Sequence, residues 1–74
     1  MKLPAISGKE LLKALSKIGF EVDHTTGSHA ILRKSTPPYL RTTVPLHGEL
    51  AKGTLRTIMR QTGVTLEQLL ELLK

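Results

Sequence analysis

Three histidines, His24, His29 and His47, bring to this 74-residue chain a side chain that exchanges protons near neutral pH. His29 is the best placed: it follows Gly27-Ser28, a turn signal, and opens the strand-like run Ala30-Ile31-Leu32-Arg33-Lys34. Eleven Lys and Arg stand against six Asp and Glu, a formal charge of +5. An imidazole in a basic chain suits RNA cleavage, because RNA carries its own nucleophile, the 2′-hydroxyl. Cleavage then needs a base for that proton and cations for the charge that develops on phosphate. Neutral His29 would take the proton and the oxygen would attack the adjacent phosphorus. The products would be a 2′,3′-cyclic phosphate and a free 5′-hydroxyl. The leaving 5′-oxygen would be protonated by His47, a lysine or water.

Other chemistries fit less well. Ser28 and His29 are adjacent, so on a strand they point to opposite faces and make a poor nucleophile and base pair. The three histidines share no metal-ligand spacing and have no cysteine or paired carboxylates beside them, so no metal site is expected. A chain of this length has no room for a lobe that binds a large cofactor, and none is expected. Gly27 is most simply a turn residue tolerating positive φ, with a second use in letting a phosphate approach the amides around Ser28. His47, in Val44-Pro45-Leu46-His47-Gly48, has two readings: a brace for its loop, or a secondary catalytic group.

The charge favours a polyanionic partner or an acidic protein. Lys9, Lys13 and Lys17 are spaced four apart, and so are Lys52, Arg56 and Arg60. Each set makes a basic row along a helix, suited either to solvent or to phosphates. Arg33 and Arg41 would extend the field across a sheet. Phe20 and Tyr39 are the sole aromatics, too few for a base-stacking platform, so contacts to phosphate and sugar are expected. The same rows would serve a non-catalytic nucleic-acid-binding module, which would bind RNA without cutting it. The absence of cysteine is consistent with a reducing cytosol. No stretch has the length of a membrane span, and Met1-Lys2-Leu3-Pro4-Ala5-Ile6 lacks a signal peptide's apolar core.

Positioning these groups falls to a short run of elements. Ser7 with Glu10 forms a capping box, and Leu11, Leu12, Leu15 and Ile18 recur at helical spacing, predicting a helix over 8–18 that stops at Gly19. Phe20 to His24 alternates apolar with polar, Thr25-Thr26-Gly27 reads as a turn, and a second strand spans about 28–34. Pro37-Pro38 breaks the ladder before a third strand, Leu40 to Val44, which Pro45 ends. Leu55, Ile58 and Met59 mark a second helix ending at Gly63. Thr65 with Gln68 caps a short one faced by Leu66, Leu69, Leu70 and Leu73, a run that reads as ordinary core or, in surplus residues such as Leu72, as a partner or dimer surface. One α+β domain over 1–74 is predicted: a three-stranded antiparallel sheet with helices packed on one face.

Five segments, taken together, resemble the HicA-type mRNA interferase toxins of prokaryotic toxin–antitoxin modules. They are Ser7-Gly8-Lys9-Glu10, Lys17-Ile18-Gly19-Phe20, Gly27-Ser28-His29, Val44-Pro45-Leu46-His47 and Gly53-Thr54-Leu55-Arg56-Thr57-Ile58. The resemblance implies a fold like the double-stranded RNA-binding domain, α-β-β-β-α, here with a short extra C-terminal helix. It implies ribosome-independent cleavage of mRNA and growth arrest, to which the residues themselves add metal-independent chemistry and a cytoplasmic setting as expectations. His29 would be the catalytic residue, with Gly27 and Ser28 as motif neighbours; the basic rows, read from spacing and not from the resemblance, would put Lys9, Lys13, Arg33, Lys52 and Arg56 on the RNA. A HicB-type antitoxin is the implied partner, masking the active surface, with operator DNA bound through the toxin–antitoxin complex.

Overall fold

Ser7 starts the first helix, α1 (Gly8–Ser16), through the reciprocal bonds its spacing to Glu10 predicts. In the computed structural model, which describes residues 2–74, Glu10 N–H donates to Ser7 Oγ at 3.1 Å and Ser7 N–H to Glu10 Oε1 at 3.0 Å. The helix ends two residues before the predicted Ile18. Its last turn tightens, with Lys17, Ile18 and Gly19 N–H donating to the carbonyls of Ala14, Leu15 and Ser16, three residues back. Gly19, at φ +95°, then swings the chain into the sheet.

Three strands, β1 (Phe20–Thr26), β2 (His29–Lys34) and β3 (Arg41–Pro45), form an antiparallel sheet in the order β1-β2-β3. β1 runs past the predicted end at His24, because Thr25 and Thr26 pair with Ala30 and His29. The turn is therefore Gly27-Ser28 alone. Gly27 takes φ +58° at the first central position, where a two-residue hairpin with this twist favours glycine. A bulge between Val22 and His24 is the other departure from plain alternation. It moves His24 off the face of Phe20 and Val22 and opposite Ile31.

Two further helices, α2 (Lys52–Thr62) and α3 (Leu66–Leu72), complete the chain. Gly63 at φ +75° closes α2, its N–H donating to Met59 O, and Thr65 with Gln68 forms the second capping box. The helices cover one sheet face. Leu11 and Leu15 of α1, Leu55 and Ile58 of α2 and Leu69 of α3 close over Phe20, Ala30, Leu32 and Val44. Burying one such aliphatic side chain contributes about 1.5–3 kcal/mol. Leu70, not the surplus Leu72, is the leucine of α3 left exposed; Leu72 is half-buried. The fold is thus the expected α+β layout, α-β-β-β-α with a short α3 appended. His29, Arg33, Arg41 and Thr43 point out from the uncovered face.

Candidate active site

His29 is the first residue of β2, exposed, and paired across the sheet with Pro45. Pro45 stands at a non-hydrogen-bonded position of the edge strand, where an N–H would face away from β2 and its absence costs the ladder nothing, and the next residue keeps the register: Leu46 N–H bonds Ser28 O at 2.6 Å. This carries the pairing one step past β3 and delivers His47 beside His29, with ring centroids 6.1 Å apart and planes at 69°. Both imidazoles are exposed. Two residues 18 apart in the sequence meet because the sheet register brings them together.

The loop carrying His47 is fixed to the start of α1. Gly8 N–H donates to His47 O at 3.0 Å, and Leu50 N–H to Ile6 O at 2.9 Å. The approach is so close that a Cβ on Gly8 would run into Pro45 O and stand 2.9 Å from Leu46 Cα. Gly8 is thus a positioning residue that sequence reasoning missed. Glycine at the first helical position, where it weakens the helix, was the available signal. As a result α1 and α2 begin from neighbouring segments, with Lys9 one residue beyond Gly8 and Lys52 two beyond Leu50. The first turn of α2 holds no acidic residue, and its N-cap, Ala51, makes no side-chain cap bond.

The predicted basic residues divide. Lys9 and Lys52 start the helices at the histidine end, and Lys13 and Arg56 lie a turn further along them. All four are exposed and, among the described residues, enter no ion pair. Lys17 is committed elsewhere: its Nζ donates to Leu72 O at 2.7 Å and Lys74 O at 3.4 Å, tying the end of α3 to α1. Arg33 shares the sheet face of His29 but sits four residues along β2, where Asp23 engages it at 3.4 Å. Arg41, directly opposite Arg33, lies 3.7 Å from the same carboxylate, and His24 Nδ1 lies 2.9 Å from it. The His24 hydrogen bond, followed by the charges of Arg33, His24 and Arg41, outweighs partial desolvation and holds Asp23 below the ordinary carboxylate value. This cluster was illegible in the sequence, since it depends on the β1 bulge and on strand register. Gly27 and Ser28 form the turn beside His29, and no hydrogen bond joins the Ser28 hydroxyl to the imidazole.

A small basic α+β domain with two exposed imidazoles at the end of its sheet is the arrangement these elements define. The model of a family described as the HicA toxin of bacterial toxin–antitoxin matches residues 8–64, from the start of α1 to just past Gly63. The chain belongs to the HicA toxin family and is the toxin of a toxin–antitoxin system. A comparison with curated proteins finds no match. The matched span contains every residue of the candidate site and leaves α3 outside it. No helix among the described residues is long and apolar enough to cross a membrane.

Proposed function

We propose that this toxin is a metal-independent endoribonuclease that cleaves mRNA with His29 as general base. The observation that carries the reading is an exposed imidazole at the first residue of β2, on the sheet face that no helix covers. Neutral His29 takes the 2′-hydroxyl proton, the 2′-oxygen attacks phosphorus, and the P–O5′ bond breaks. Lys9 and Lys52, with the free first-turn amides of α2, supply positive potential at the same end of the domain. Lys13 and Arg56 extend it along the helices toward neighbouring phosphates, and Gly27 and Ser28 leave the approach to His29 open. Arg33 contributes to RNA binding only after exchanging its Asp23 partner for a phosphate.

The partner in this reading is a HicB-type antitoxin that covers the histidine end, in a cytoplasmic complex that contacts operator DNA. Free toxin would stop growth by removing mRNA. The test is cleavage of a defined RNA in EDTA by wild type and by His29→Ala, each checked for folding by circular dichroism. A drop of about 10²–10⁴-fold in the variant is expected, the usual contribution of a positioned base. Equal cleavage by both would remove His29 from the chemistry. RNA binding without cleavage by either would make the chain a non-catalytic binding module.

A further inference from the structure

We propose that His47 is the general acid of the reaction, delivering the proton that the leaving 5′-oxygen needs; this rests on the reading of His29 as base. In-line displacement puts the entering 2′-oxygen and leaving 5′-oxygen on opposite sides of phosphorus, on the order of 4 Å apart. Groups that grip both at a hydrogen-bond reach of about 3 Å each then stand roughly 5–9 Å from one another. The His29 and His47 rings, 6.1 Å between centroids, fall within that span. They are not stacked, their planes meeting at 69°, and both are exposed, so each turns about χ2 without disturbing the core.

The other proton donors at this end are weaker candidates. In water an alkylammonium holds its proton about four orders of magnitude more tightly than an imidazolium, so a lysine is the poorer donor type. His24 is engaged with Asp23 2.9 Å away on β1, opposite Ile31 and not beside His29. The loop carrying His47, by contrast, is held by two backbone bonds to the segment entering α1. The protons balance. His29 gains one as the O2′–P bond forms, His47 loses one as the P–O5′ bond breaks, and both rings then exchange with solvent to restore the starting state.

The test uses an oligoribonucleotide with sulfur in place of the bridging 5′-oxygen at the cleavage site mapped with wild type. A thiolate leaves without being protonated, so it dispenses with the acid but not the base. His47→Ala and His47→Gln should lose about 10²-fold or more on ordinary RNA. On the sulfur substrate they should return to within about threefold of wild type, while His29→Ala stays slow on both. The main-chain carbonyl of His47, not its ring, holds Gly8, so these variants keep that bond. His47 variants slow on both substrates, or normal on both, would overturn the assignment and leave His29 as base. Rescue of His29→Ala in place of the His47 variants would reverse the roles and overturn both assignments. Wild type that cuts no ordinary RNA, so that no site can be mapped, would dispose of the nuclease reading itself.

Discussion

Gly8→Ala tests whether the histidine loop is held where it is by main-chain contact with α1. The added methyl meets Pro45 O and comes within 2.9 Å of Leu46 Cα, both backbone atoms that no rotamer change removes. The helix start and the loop must separate, breaking the Gly8 N–H to His47 O bond. Losing that bond costs about 0.5–1.5 kcal/mol, and forcing a methylene-sized group into a packed contact about 1–3 kcal/mol. The better helix propensity of alanine returns up to about 1 kcal/mol. A net loss of about 2 kcal/mol is therefore expected, against a total of about 4–11 kcal/mol for a domain of this size. It should lower the melting temperature by roughly 8–16 °C, followed by circular dichroism. Gly53→Ala is the control: nothing lies within 4 Å of its Cβ position, so it should raise stability by about 0.4–1 kcal/mol. RNA cleavage, measured where both variants are folded, should fall in Gly8→Ala alone, because His47 moves relative to His29. Gly8→Ala melting with wild type and cutting RNA normally would refute the reasoning.

Leu69→Ala should cost about 2–5 kcal/mol in urea unfolding, since Leu69 is 0% exposed at the centre of α3, whereas Leu70→Ala, at 42% exposed, should stay within about 0.5 kcal/mol. Equal effects would mean that α3 packs by another face. Gly63→Ala, imposing φ +75° on an L-residue, should cost about 1–2 kcal/mol by the same measurement. Asp23→Asn probes the outer-face cluster through pH. The folded carboxylate titrates below the unfolded one, so its contribution is present above the unfolded value, about 3.9, and is lost as pH falls through the lowered folded value. Wild type should have the higher urea midpoint at pH 7 and lose that lead in the acid range; a lead independent of pH would count against the cluster.

Capping boxes at Ser7 and Thr65 and glycine stops at Gly19 and Gly63 were legible because they are local: a side chain meets a backbone group three residues away, or a φ value excludes most residues. The three strands were legible from alternation and proline punctuation. The end of β1 was not, because Thr25 and Thr26 suit a turn or a strand equally until Ala30 and His29 pair with them. Of the candidate site, His29 stands out through its turn, whereas nothing local to His47 in the sequence shows that it lies beside His29. Their proximity depends on cross-strand register, as do the Asp23 cluster and the diversion of Lys17 to α3, separated by up to 57 positions in the chain. Even spacing along a helix showed which lysines share a stripe, but not that Lys17 in that stripe already has partners.

The two-residue Gly27-Ser28 hairpin has a consequence for how this chain tolerates changes of length. Which face a residue of β2 occupies is a matter of odd and even counting from that turn. A one-residue shift of β2 through that turn would carry His29 beneath α1 and α2 and turn Ala30 and Leu32 out to water, losing site and core together. A change of two would preserve the count. The extra residue at Asp23 shows the third option, an odd insertion absorbed by a bulge on an edge strand before it reaches the hairpin. Viable length changes within the paired strands of this hairpin should therefore come in even steps or accompany a new bulge in β1, while an odd insertion at the turn must be taken up by a longer loop.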